Sequence, residues 1–119
     1  MARILIADDA MFMRQSLKQI VESNGHEVVG EAGDGAETVA KFEELKPDVI
    51  ILDITMPGVS GMDALKQLRA MDKTVKIIIC SALGQQDVIV EAITSGAHDF
   101  IVKPFTPNQI IGALEKVLR

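Results

Sequence analysis

The feature that most constrains this chain is a regular exchange between two hydrophobic periods. Short apolar runs rich in β-branched residues, Ile4 to Ala7, Val28 to Glu31, Val49 to Leu52, Val75 to Cys80 and Phe100 to Val102, read as strands. Between and after them lie stretches of helical period, at residues 10–24, 34–45, 61–71, 85–95 and 106–118. Each switch is marked by Gly, Pro, Asp or Asn. Strands alternating with helices predict βαβ units, and a run such as Val49-Ile50-Ile51-Leu52 suits a strand covered on both faces of a parallel sheet. The fold class expected is α/β, a single doubly wound sheet of five parallel strands flanked by five helices.

The helical stretches carry their own start and stop signals. In the first, Met13, Leu17, Ile20 and Val21 follow the spacing of one buried face, and Gly25 after Asn24 supplies the stop. In the last, Ile110, Ile111, Leu114, Val117 and Leu118 repeat the pattern after Thr106-Pro107, a cap residue followed by proline at the first helical position. The fourth reads Val88-Ile89-Val90 and then Ala92-Ile93, apolar nearly all round. An exposed apolar patch for partners is the favoured explanation, ahead of burial. Met11, Phe12 and Met13 are expected to give helix core plus one exposed methionine.

Length and composition then exclude several classes. A chain of 119 residues, 48% hydrophobic and 24% charged, is expected to form one domain over 1–119 with no separate output domain. Seventeen Asp and Glu against twelve Lys and Arg give a net charge of -5, which repels a phosphate backbone and argues against direct nucleic-acid binding. Cys80 is the only cysteine, so no internal disulfide is possible, and a reducing cytoplasmic location fits. No run approaches the ~18 apolar residues of a membrane span, and no signal-peptide pattern opens the chain.

Ligands of open parallel sheets bind beyond the carboxyl ends of the strands, so the residues there matter most. The first strand ends in Asp8-Asp9, the third in Asp53, the fourth in Ser81 and the fifth in Lys103-Pro104. A single Asp at such a place is an ordinary helix cap. Asp53 follows an interior run, however, and emerges beside the acidic pair if the first and third strands are neighbours. Two like charges ~4 Å apart repel by roughly 4 kcal/mol at an effective dielectric of ~20. A divalent cation with oxygen ligands, such as Mg²⁺, together with Lys103 offsets that repulsion and brings the formal charge of the site to zero. The set suits phosphoryl chemistry, with Asp53 as acceptor and the metal, an ammonium and the Ser81 hydroxyl stabilising the equatorial oxygens.

These residues resemble the receiver domain of two-component response regulators over all 119 positions. The acidic pair Asp8-Asp9, Asp53 followed by Met56-Pro57-Gly58 and Gly61, Ser81-Ala82, and Lys103-Pro104-Phe105 stand in the family's order and at its spacings. The stretches from Asp8 to Arg14 and from Cys80 to Gln86 further resemble its chemotaxis regulators. The resemblance implies a flavodoxin-like sheet order 2-1-3-4-5. It implies that Asp53 takes a phosphoryl group from a sensor histidine kinase, and that Asp9, Asp53 and the Thr55 backbone carbonyl bind Mg²⁺, with Asp8 acting through water. Lys103 and Ser81 would each contact a phosphoryl oxygen, and the Lys103-Pro104 bond would be cis. Phe100 stands at the family's switch-aromatic position, so packing and no phenolic hydroxyl carries the coupling there. The implied partners are the kinase, the flagellar motor switch protein and a phosphatase, met by a monomer. The alternative is a phosphorelay intermediate serving a histidine phosphotransfer protein.

Other readings fit less well. A phosphatase of the haloacid-dehalogenase type wants a second Asp two places after its nucleophile, where this chain has Thr55. A flavodoxin-type flavin site is opposed by Asp8-Asp9, which would repel a phosphate, and by the lack of Trp and Tyr. The activity expected is therefore self-directed phosphoryl transfer and autodephosphorylation only. His26 and His98 lie at strand starts, away from the site, and Lys41, Glu43, Glu44 and Lys46 read as a solvated helix face.

Overall fold

The computed structural model describes residues 1–119. Ten elements alternate along the chain: β1 (Arg3–Ala7), α1 (Met11–Glu22), β2 (Glu27–Ala32), α2 (Gly35–Leu45), β3 (Val49–Leu52), α3 (Gly61–Met71), β4 (Lys76–Ser81), α4 (Gln86–Thr94), β5 (Asp99–Val102) and α5 (Pro107–Val117). All strand pairs are parallel and the sheet order is β2-β1-β3-β4-β5. Every expected strand and helix is present, with ends that coincide with the expected ones or differ by one or two residues. The largest consequence is at Ser81, which is the last residue of β4, paired in register with Val102 and accepting a hydrogen bond from the Lys103 N–H at 2.8 Å.

Alternate residues of each strand feed two cores, as the pleat requires. Leu5, Ile50, Leu52, Ile77 and Ile79 pack with Phe42, Leu65, Leu68 and Ala92 on the side of α2, α3 and α4. Ile4, Ile6, Ile51, Ile78 and Cys80 pack with Leu17, Val21, Ile110 and Leu114 beneath α1 and α5. Each fully buried Leu or Ile contributes roughly 1.5–3 kcal/mol. The sheet is thus held rigidly from both faces, and its carboxyl edge is a fixed platform. No helix is long and apolar enough to cross a membrane.

Caps set where helices begin. Asp34, Ser60 and Thr106 each accept a backbone N–H of the first turn, and Thr106 with Gln109 closes a reciprocal capping box after which Pro107 opens α5. By contrast, α1 and α4, whose cap positions are Ala10 and Gln85, have no side-chain cap. Gly25 turns the chain out of α1 at φ +84°.

Exposure separates the two readings of the apolar helix surfaces. In α4 only Ala92 is fully buried, while Val90 is 52% and Ile93 44% exposed, so Val90 and Ile93 form an exposed apolar patch and are not buried. The segment after the acidic pair departs from expectation. Met11 is 63% and Phe12 80% exposed, and only Met13 packs on the core. The reason is geometric, because the buried face of α1 runs through Met13, Leu17 and Val21, and Phe12 falls on the solvent side with Gln15 and Gln19.

Candidate functional site

The register of the sheet assembles the site. Ala7 lies opposite Leu52, so Asp8 and Asp53 each leave the sheet one residue later on adjacent strands. Backbone bonds fix both positions: the Asp8 N–H donates to Ala32 O and the Asp53 N–H to Ala7 O, each at 2.9 Å. One carboxylate oxygen from each of Asp8, Asp9 and Asp53 lies within 4.8 Å of the others. Asp8 and Asp53 are buried and Asp9 is exposed. Three hard oxygen donors at this spacing, open on one side, fit a divalent cation that keeps part of its water shell.

Lys103 closes the buried side. Its Nζ donates to Asp8 Oδ2 at 2.6 Å and to Asp53 Oδ2 at 3.3 Å. Burial works against the charge on Lys103, but the Asp8 hydrogen bond and the charges of Asp53 and Asp8 outweigh it and raise the pKa. The peptide between Lys103 and Pro104 is cis, as the family resemblance implied.

The remaining bonds position the carboxylates. Asp8 Oδ1 accepts the Ala10 N–H at 2.9 Å, and Asp53 Oδ1 accepts both the N–H and the hydroxyl of Thr55 at 3.1 Å. Asp53 Oδ2 is left with Lys103 alone. Ser81, fully buried at the end of β4, accepts the Leu83 N–H at 3.2 Å, and a hydroxyl that accepts keeps its own proton to donate. Phe100 is half-buried and packs, with Val88 of α4, against the core under α3 and α4. Gly61 approaches the backbone of Asp53 so closely that a Cβ there would overlap the Asp53 carbonyl oxygen.

The structure therefore brings together Asp8, Asp9, Asp53 and Lys103, holds Thr55 on Asp53, and sets Ser81 at the end of the strand next to β3. Sequence reasoning missed two contributions. The Thr55 side chain orients Asp53, a role signalled by the Asp-x-Thr spacing that favours local side-chain turns. Arg14 also reaches the acidic pair, with Nη1 on the Asp8 carbonyl at 2.7 Å. The two histidines serve the opposite edge of the sheet, where His26 Nδ1 accepts the Ala2 N–H and His98 Nδ1 the Ile77 N–H.

Comparison with known proteins agrees with this geometry. The family model of the response regulator receiver domain matches residues 4–115. The chain is 55% identical to the chemotaxis protein CheY of Thermotoga maritima over 97% of its length and 96% of that protein's. It is 52% identical to CheY of Listeria monocytogenes over the full length of both. Among solved structures, the CheX-CheY-BeF3-Mg²⁺ complex of Borrelia burgdorferi superposes with a TM-score of 0.96 at 34% identity, covering 98% of this chain and 89% of that one.

Proposed function

Because the chain belongs to the response regulator receiver domain family, and within it is CheY-like, we propose that it is a two-component signalling protein that accepts a phosphoryl group on Asp53 and acts in chemotaxis. The observation that carries this reading is the convergence of Asp8, Asp9, Asp53 and Lys103 at the carboxyl edge of the sheet. In the transfer, Asp53 Oδ2 attacks phosphorus of a kinase phosphohistidine. A P–O bond forms, the P–N bond breaks, and the imidazole leaves with the electron pair and takes up a proton. Thr55 holds Asp53 Oδ1 so that the other oxygen points at the donor. Lys103 then exchanges part of its carboxylate contact for a phosphoryl oxygen, and the Ser81 proton serves another.

Asp9, Asp53 and the Thr55 carbonyl would hold Mg²⁺, with Asp8 acting through water, and the ion would supply positive charge to the transferring oxygens. The same residues support slow self-catalysed hydrolysis and no turnover of an external substrate. As Ser81 swings toward the phosphoryl group it releases the Leu83 N–H, and the loop ahead of α4 follows. Phe100 turns inward into the space vacated. The surface so changed carries Val90, Ile93 and Val102, exposed apolar side chains of α4 and β5.

The partners of this reading are a histidine kinase, the flagellar motor switch protein and a phosphatase, reached through the receiver's own surface. The Borrelia relative is a CheY in complex with a second protein, CheX, which supports a protein partner for this surface. The test is binding to a motor-switch peptide with and without acetyl phosphate and Mg²⁺. A phosphorylation-dependent gain in affinity supports the motor as target. No gain, together with transfer to a histidine phosphotransfer protein, supports a relay intermediate.

A further inference from the structure

We propose that Arg14 is a positioning residue that aims Asp9 at the metal by fixing the peptide plane between Asp8 and Asp9. The inference rests on the Mg²⁺ site of the preceding section and adds to it a residue outside the ligand set. Asp9 is the exposed carboxylate of the cluster, whereas Asp8 is buried and bonded through its N–H, its carbonyl and both carboxylate oxygens. The bond to the carbonyl comes from Arg14 Nη1 at 2.7 Å. A peptide unit is planar, so clamping the Asp8 carbonyl also fixes the N–H and Cα of Asp9. Asp9 is then oriented through its backbone, its side chain remaining free for the ion.

The clamp is itself anchored. Arg14 Nε donates to Glu31 Oε1 of β2 at 3.0 Å, so one planar guanidinium spans the β1–α1 turn and the neighbouring strand. Gly33 lies alongside, where an added Cβ would come within 3.8 Å of Arg14 Nη1. An ammonium is a point donor and does not reproduce that two-pronged geometry. Because Glu31 neutralises Arg14, the pair adds little net field at the cluster, which leaves orientation as its main effect.

Charge and geometry predict opposite signs, which makes the test decisive. Removing a cation beside a Mg²⁺ site tightens metal binding if Coulomb attraction is all that matters, while removing an orienting group weakens it, by about 10-fold for typical outer-sphere partners. Mg²⁺ affinity measured calorimetrically is expected to fall about tenfold in Arg14→Ala and to fall also in Arg14→Lys, which keeps the charge. Without added metal, the Asp9 amide should lose order in ¹⁵N relaxation in both variants, with the β-strand amides unchanged. In an Asp9→Asn background, Arg14→Ala should weaken Mg²⁺ binding no further. Wild-type affinity in Arg14→Lys, tighter binding in Arg14→Ala, or losses that add to that of Asp9→Asn would overturn the proposal and leave the metal site standing. Wild-type protein that binds no Mg²⁺ would overturn both.

Discussion

Lys103 and Asp8 form the shortest ion pair of the structure, Nζ to Oδ2 at 2.6 Å, although 95 residues separate them in the chain. The same ammonium reaches Asp53 at 3.3 Å, so one cation ties the last loop of the sheet to the ends of β1 and β3.

Removing that cation leaves two buried carboxylates facing each other. Lys103→Met is expected to cost about 3 kcal/mol at neutral pH, within the range for breaking a buried pair from one side. Adding Asp8→Asn should restore much of the loss. The pH dependence follows from the raised pKa of Lys103. Its contribution is complete below the ordinary lysine pKa of about 10.4 and is lost as pH rises through the higher folded value. Urea melts should therefore show the difference between wild type and Lys103→Met constant through neutral pH and shrinking in strong alkali.

Asp9 behaves in the opposite sense. Exposed and close to two other carboxylates, it adds repulsion in the absence of metal. Asp9→Ala is expected to leave the protein without Mg²⁺ as stable as wild type, or more stable by up to about 1 kcal/mol, while removing most of the stabilisation that Mg²⁺ gives wild type. Denaturant melts of both proteins with and without Mg²⁺ check this, and a clear loss of stability without metal contradicts it.

Two glycines in helices should respond oppositely to alanine. Gly112 in α5 is exposed and an added Cβ meets nothing within 4 Å, so Gly112→Ala should stabilise by about 0.5–1 kcal/mol. At Gly61 the added methyl collides with the Asp53 backbone, so Gly61→Ala should destabilise by about 1–3 kcal/mol and slow phosphorylation by shifting Asp53. Thermal melts and acetyl phosphate labelling of both variants read these effects.

The elements and the site were legible in the sequence for different reasons. Strand and helix periods are local, and the runs before Asp8 and Asp53 announce interior strands whose next residue must reach the rim. That these rims adjoin depends on β1 pairing with β3, which the sequence reading took from family resemblance and the register Ala7 opposite Leu52 realises. What stayed hidden depends on the direction of single bonds. Neither the preference of Lys103 for Asp8 over Asp53 nor the Arg14 bond to a main-chain carbonyl has a periodic signature. Phe12 was misread because an aromatic residue suggests core, whereas its angular position on α1 places it in solvent.

Cys80 lies one residue before Ser81 and is buried under α1 and α5. Burial, partly offset by Lys103 and reinforced by Asp53 and Asp8, pushes its thiol up to about 12. Thiolate is the reactive form, so the native protein should resist iodoacetamide at pH 8 and react at an ordinary rate in denaturant. Rapid labelling of native protein would mean that β4 opens locally.

The central claim is that Asp53 accepts a phosphoryl group, and intact mass after exposure to acetyl phosphate and Mg²⁺ tests it most directly. Wild type should gain the mass of one phosphoryl group in a hydroxylamine-labile adduct, and Asp53→Asn should gain none. An unmodified wild type, or an equal gain in Asp53→Asn, would contradict the account.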